Sequence, residues 1–323
     1  TLKRDDRSIV TFPRMSALSS ARVVRASRAI SSAMASTSSS RAWPSSSSSS
    51  LKTFVDTHAH MDAVLTKLGV ERVDEYFAAV EREEESAGAR LEACITIGCS
   101  ERSFESTAAL SREDSRVYSA FGVHPLSARE WPNAEARVRE LARNEPRCVA
   151  IGECGLDYHR IPEDEDVEAY KERQRDAFVA QIQLADELEK PLVVHTREAE
   201  EDTLAIMKAH LRADAPVHVH CFTSSANLAS ALLDAFPGLC LGFTGVVTFK
   251  NGGDVREVVA GVPLDRILLE TDAPYMAPTP FRGQTCHPGM VPRIAAAVAR
   301  VHDVPVERVF DACRANTRRV YGI

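Results

Sequence analysis

Eight short β-rich runs recur along the chain, and their spacing constrains the fold more tightly than any other feature. They centre on Val55, Ile95, Phe121, Ile151, Val194, Val219, Leu241 and Leu269, at intervals of 40, 26, 30, 43, 25, 22 and 28 residues. Each interval is long enough for a strand, a loop, a crossover helix and a return, which is what parallel strands require. Runs such as Cys94-Ile95-Thr96-Ile97 and Pro191-Leu192-Val193-Val194 are largely apolar on successive residues, as expected of strands covered on both faces. Between the runs, residues 173–189 carry Phe178, Ile182, Ala185 and Leu188 on one helical face and charge on the other. The pattern predicts an α/β fold, a (β/α)8 TIM barrel over residues 51–323, near the ~250 residues that such barrels typically take. An open doubly wound sheet is the alternative, but no Gly-x-Gly-x-x-Gly loop follows the first strand.

Residues 1–50 differ in kind. They hold eight Lys/Arg against two Asp/Glu, leaving 31 basic and 44 acidic residues in the remainder, so the chain's net charge of −7 divides into +6 and −13. This first segment contains 17 serines, ends in six consecutive ones, and has no acidic residue between Asp6 and Asp56. Such a composition cannot bury a core, and residues 1–50 are expected to be a disordered basic leader. From Met15, taken as its start, the leader is Arg-rich, Ser-rich and acid-free, with Arg22, Arg25 and Arg28 at helical spacing. That reads as a transit peptide to a mitochondrion or plastid; as a plain low-complexity tail it would leave the protein in cytoplasm or nucleus. No apolar run approaches the ~18–20 residues needed to cross a bilayer. The eight cysteines form no Cys-x-x-Cys pair, which disfavours a zinc finger or disulfide scaffold, and Cys94, Cys148 and Cys240 fall inside apolar runs as small core residues.

In a barrel, chemistry sits at the C-terminal ends of the strands, and there the polar residues gather. The first run ends in Asp56-Thr57-His58-Ala59-His60, the third in Gly122-Val123-His124-Pro125 and the fourth in Gly152-Glu153-Cys154-Gly155-Leu156-Asp157-Tyr158. The fifth ends in His195-Thr196-Arg197, the sixth in His218-Val219-His220-Cys221-Phe222 and the eighth in Glu270-Thr271-Asp272-Ala273-Pro274. Residues i and i+2 of a strand share a face, so His58 and His60 aim together into the barrel mouth. Taken alone the pair could be two ordinary hydrogen-bonded histidines. With Glu153, His195, His220 and Asp272 converging on the same rim, unpaired polar groups would be costly, and divalent cations are the partner that relieves them. Imidazole with carboxylate suits zinc or manganese, and magnesium where waters complete the shell. Four histidines and two carboxylates exceed what one tetrahedral ion with an open position uses, which favours two ions. Such a pair, about 3.5–4 Å apart, performs hydrolysis. His218 shares the face of His220 one layer deeper and is expected to be a core or supporting histidine, whereas His159, His210, His287 and His302 are expected to face solvent.

At these residues the chain closely resembles the TatD family of metal-dependent deoxyribonucleases, within the amidohydrolase superfamily, from about Phe54 to Tyr321. The motifs above carry the resemblance, together with Thr244-Gly245-Val246-Val247-Thr248-Phe249-Lys250 and the Tyr275 that follows Pro274. The resemblance implies that His58, His60, Glu153 and Asp272 hold one metal, and that His195 and His220 hold a second with Glu153 shared. It further implies that Asp272 takes the proton of the attacking water, with Glu153 also at the catalytic centre, and that Arg197 lies near the substrate phosphate. Arg282 is a further substrate-contact candidate, and His124 is either a substrate contact or a structural strand-end imidazole oriented by its turn proline. Two departures stand out. Thr223-Ser224-Ser225 replaces a small residue and glycine after the His-Cys-Phe motif, and Cys286-His287 replaces an Asn-Glu pair; both are expected in loops that shape the entrance.

The expected function is hydrolysis of DNA phosphodiester bonds by a divalent-metal deoxyribonuclease. The balance of −13 argues against a broad basic groove for long duplex, because duplex affinity rests largely on Lys/Arg at phosphates. Arg160, Arg197, Lys250 and Arg282 are the rim cations, which favours a small footprint such as a strand end or short single-stranded DNA, and exonuclease action over internal cutting. The activity expected with the resemblance is that of a 3'-5' exonuclease on single-stranded or frayed ends. The alternative is a hydrolase of the same superfamily acting on a small phosphoester, ester or amide; a metal-binding scaffold without turnover is the remaining class. No obligate protein partner is implied.

Overall fold

The computed structural model describes residues 52–84 and 89–323; the leader of residues 1–50 lies outside them. Eight parallel strands run in the order β1 to β8: Lys52–Ala59, Ala89–Gly98, Val117–Phe121, Cys148–Asp157, Leu192–Arg197, Val217–Val219, Leu239–Phe243 and Ile267–Leu269. Each of the eight runs read from the sequence falls within one of them. The barrel closes where β1 meets β8: Ala59 bridges Ala273, and the His60 N–H donates to the Ala273 carbonyl at 2.7 Å. The principal helices are α1 (Met61–Leu68), α2 (Val73–Glu84), α3 (Glu101–Glu113), α4 (Trp131–Asn144), α5 (Val167–Glu187), α6 (Glu200–His210), α7 (Ala226–Ala235), α8 (Gly253–Gly261), α9 (Val291–His302) and α10 (Val306–Tyr321). No helix among the described residues is long and apolar enough to cross a membrane.

Strand alternation divides the core in two. Ile95, Ile97, Ala120, Ala150, Val193, Cys240 and Leu268 fill the barrel interior, where Val320 and Tyr321 of α10 join them. Cys94, Phe121, Ile151, Val194, Val217 and Val219 face outward and pack in the layer with the helices. The same alternation sends Val193 and His195 inward on β5, and His218 and His220 inward at β6. All eight cysteines are free thiols, and six of them are buried.

The longest helix also fixes the loops of the rim. α5 begins at Asp166, whose side chain accepts the Ala169 N–H at 2.9 Å, as an acidic N-cap should. Two turns apart on its inner face, Gln174 and Gln181 are both buried. Gln181 accepts from the Val123 N–H (2.7 Å) and donates to the Val123 carbonyl (3.1 Å). Gln174 makes the same paired contact with the backbone of Asp157 (2.8 and 3.0 Å). These amides clamp the chain just past β3, beside His124, and at the end of β4, at Asp157.

Candidate metal centre

His58 is wholly buried and Glu153 almost so. Strict alternation from Ala150, which faces the interior, would send Glu153 outward to the helices. The β4–β5 register shifts between Ile151 and Cys154, returning Cys154 to the outer layer and turning Glu153 in. Gly152 permits this: its φ is +127°, and a Cβ there would lie 2.4 Å from the Val193 carbonyl oxygen. Register irregularities of this kind re-aim side chains beside active sites.

Glu153 then stands between two imidazoles. Its Oε2 lies 3.0 Å from His58 Nε2 and 2.9 Å from His220 Nε2, and the two rings stack at 3.9 Å. On the other side of His58, Asp272 Oδ1 is 3.7 Å from His58 Nε2 and 3.5 Å from His60 Nε2. Two ligand groups share His58: His58 with Glu153 and His220, and His58 with His60 and Asp272. The donor atoms within each group lie within 4.8 Å of one another. Backbone contacts tie the carboxylate to strand one, since the Asp272 N–H donates to the His58 carbonyl at 2.9 Å.

Whether these residues fit a metal is decided by their unpaired atoms. Both nitrogens of His58, Oε2 of Glu153 and Nδ1 of His220 are buried and make no hydrogen bond. The short contacts to Glu153 Oε2 therefore lack the direction a hydrogen bond needs. A cation is the partner such a set lacks, and nitrogen with carboxylate oxygen suits a divalent one. The charges agree. Burial pushes His58 down to about 4, and the neighbouring His220 adds to the effect, so its nitrogens stay free. Burial opposes ionisation of Glu153, yet His220, His124 and His58 hold it well below the usual carboxylate range. Burial likewise opposes Asp272, and its hydrogen bond to His60 together with the charges of His58, His220 and His60 outweighs it. His220 is raised to about 9 and His60 to about 8: burial disfavours their protonated forms, and Glu153 and Asp272, respectively, overcome it. A divalent ion binding there would release those protons.

His195 completes the cluster from β5. Its Nδ1 is 3.1 Å from His220 Nε2, and its Nε2 is 3.2 Å from Asp157 Oδ2. By ligand-atom distance it groups with His124 and Asp157, not directly with Glu153 and His220. Asp157 is a residue whose role sequence reasoning missed. It fixes the proton on Nε2 and leaves the Nδ1 lone pair facing the other ligands, an arrangement common around histidine-bound metals. The available signal was its place four residues after Glu153 on the same strand. His124 has a different character. Its Nδ1 accepts the Leu126 N–H at 3.1 Å, so Nε2 carries the hydrogen, 3.7 Å from Glu153 Oε1. Burial, reinforced by His195, lowers it to about 3, which keeps the ring a neutral donor. Arg197 ends β5 with its side chain exposed, and Arg160 and Lys250 are exposed on neighbouring loops. Arg282 stacks on Phe249, 3.5 Å from the ring centroid.

One expectation is corrected. His287 is not solvent-facing: it is wholly buried, its Nδ1 lies 3.1 Å from the Tyr76 hydroxyl, and burial lowers it to about 4. Cys286 beside it is buried too. Ser225, in the other departure from the family pattern, is the N-cap of α7, accepting the Leu228 N–H and binding Glu200 through both its own N–H and hydroxyl. Ser225 thus serves capping, and Cys286-His287 packing.

A barrel of eight parallel strands with a histidine–carboxylate cluster at their C-terminal ends defines a metal-dependent hydrolase. The family described as TatD related DNase matches residues 55–322, and the chain belongs to that family. It is 37% identical over 280 residues to the human 3'-5' RNA nuclease TATDN2, covering 84% of this chain but only 35% of the human protein. It is 36% identical over 269 residues to the metal-dependent hydrolase YcfH of Escherichia coli, covering 83% of this chain and 96% of that protein. The crystal structure of YjjV, a TatD homologue from Escherichia coli, superposes with a TM-score of 0.65 at 26% identity, over 84% of this chain and 98% of that one.

Proposed function

We propose that the protein is a divalent-metal-dependent nuclease that removes nucleotides from the 3' ends of single-stranded or frayed DNA and RNA. Residues 51–323 would form the catalytic unit and residues 1–50 a separable leader. The observation that carries the reading is the set of buried, hydrogen-bond-free donor atoms on His58, Glu153 and His220 at the mouth of the barrel. The family's description as a DNase and the human relative's name as a 3'-5' RNA nuclease supply the substrate class and polarity.

In this reading His58, His60, Glu153 and Asp272 hold one ion, and Glu153, His195 and His220 a second, with zinc, manganese or magnesium as candidates. Bound there, divalent ions would acidify a water and stabilise the charge that develops on the phosphoryl group. Asp272 takes the proton of the attacking water. Neutral His124 donates from Nε2 to a phosphate oxygen, and Arg197 and Arg282 add positive charge at the rim. The acidic balance of residues 51–323 keeps the footprint short, because few cations are available to neutralise a long phosphate backbone.

The test is turnover by the purified chain on single-stranded DNA and RNA labelled at either end, with magnesium, manganese and zinc compared. A ladder shortening from the 3' end, abolished by chelator and restored by metal, is expected. Absence of nucleotide release under every metal would refute the proposal, and cleavage of only a small phosphodiester would favour the alternative hydrolase.

A further inference from the structure

Three large apolar side chains are exposed among the described residues: Leu126, Val167 and Tyr275. Val167 opens α5, while Leu126 lies two residues after His124 and Tyr275 three residues after Asp272. Tyr275 is the most exposed of the three, at 56%. Its surroundings hold it still. Its N–H donates to the Asp272 carbonyl at 3.1 Å, and the Pro274 carbonyl before it accepts the Cys286 N–H at 3.2 Å. The ring stands edge-on to His60, with centroids 6.4 Å apart, and Lys67 of α1 sets its ammonium 5.4 Å from the ring centroid. An aromatic face is thus tethered three residues from a candidate ligand, in contact with a second, and charged by a lysine.

We propose that Tyr275 is the stacking platform for the base of the terminal nucleotide, an inference that rests on the nuclease reading. Every nucleobase has a π-face, so stacking adds affinity without demanding a sequence. It offers this chain what its charge withholds, since a unit carrying −13 draws little from the phosphate backbone. The position is suitable: the Tyr275 ring lies beside His60, within reach of a nucleotide whose phosphate is held at the ligand cluster. Lys67 raises the pull of the ring on an incoming nucleotide and stands ready for the next phosphate. A stacked terminal base must first leave a duplex, which makes unpaired or frayed ends the favoured substrates.

The inference is tested by steady-state kinetics of the full chain, loaded with its activating metal, on short single-stranded DNA and RNA oligonucleotides. Each is compared with a matched oligonucleotide whose 3'-terminal nucleotide lacks its base. Tyr275→Ala should raise KM on base-bearing ends about tenfold, with a smaller change in kcat, and Tyr275→Trp should restore it. On abasic ends the wild type should lose the same factor, and the alanine variant should fall no further. Placing 2-aminopurine at the 3' end supplies a second readout: its fluorescence should quench on binding the wild type and the tryptophan variant, and not the alanine variant. Unchanged KM in Tyr275→Ala, or an equal penalty on base-bearing and abasic ends, would overturn the stacking role while leaving the nuclease reading in place. Failure of the wild type to cleave any oligonucleotide would overturn both.

Discussion

Two histidine–carboxylate clusters sit one above the other in this barrel, built from the same strands two residues apart. The upper contains His58, Glu153, His220 and Asp272; the lower contains His218 and Glu270. In the lower layer His218 Nδ1 meets the Tyr321 hydroxyl at 2.6 Å and its Nε2 lies 2.9 Å from Glu270 Oε2, while Glu270 Oε1 accepts the Cys221 N–H. Burial opposes ionisation of Glu270, but His218 outweighs it and keeps the carboxyl below its usual range. Gly242 makes room for this pair, since a Cβ there would stand 2.2 Å from His218 Nε2. In the upper layer neither nitrogen of His58 has a hydrogen bond. The same residue types therefore do different work. Below, each group keeps one protein partner, the Tyr321 hydroxyl at His218 Nδ1 and the Cys221 N–H at Glu270 Oε1, although His218 Nε2 and Glu270 Oε2 are also buried without a hydrogen bond. Above, His58 has no hydrogen-bond partner at either nitrogen and the donors converge as a cation site would require.

The sharpest way to break this distinction is to remove a group from each layer. Glu153→Ala takes away the ligand shared by both proposed ions. Turnover should fall by roughly three powers of ten or more, with metal content reduced in elemental analysis. Normal activity with normal metal content would remove Glu153 from the centre. Below, His218→Leu leaves Glu270 buried without its imidazole and should cost about 3–5 kcal/mol in denaturant unfolding. Adding Glu270→Gln should recover part of that loss, because the stranded charge is gone. Should Glu153→Ala destabilise the metal-free protein as severely as His218→Leu, the contrast between the layers would collapse.

Metal removal separates the layers without mutation. An ion that binds the folded chain stabilises it with the logarithm of its excess over Kd, by about 2.7 kcal/mol at a hundredfold excess. Chelation should lower the melting temperature of the wild type and leave that of Glu153→Ala nearly unmoved. Equal sensitivity in the two proteins would place the stabilising ion elsewhere.

The layers also differed in how readily the sequence disclosed them. His58 and His60 stood out because strand period aims i and i+2 together, and His218 could be placed beneath His220 by the same rule. Glu153 was found by resemblance and by its place near a strand end, yet simple alternation would have faced it outward. Only the register shift at Gly152 turns it in. Asp157 was passed over because its value depends on pairing across β4 and β5 with His195, 38 residues away. His287 was misread as exposed because its loop position says nothing of Tyr76, 211 residues distant, which buries it. The strands themselves were legible because each is a local apolar run, whereas these contacts depend on long-range register.

Tyr321 provides the finest test of the separation. It lies 103 residues from His218, at the end of α10, and its hydroxyl meets His218 inside the barrel, a layer below the proposed ligand His220. Tyr321→Phe removes one oxygen and almost no volume, leaving His218 Nδ1 buried without its partner. An unsatisfied buried group of this kind costs about 1–3 kcal/mol, which for a chain this large lowers Tm by several degrees, at roughly 2–4 °C per kcal/mol. Turnover and metal affinity, measured well below Tm, should match the wild type, because the lost bond belongs to the lower layer alone. A drop in metal affinity at unchanged Tm would mean that Tyr321 acts upward, through His218 and Glu270 to the Cys221 backbone beside His220. The two clusters would then be a single device extending through the barrel to its C-terminal helix.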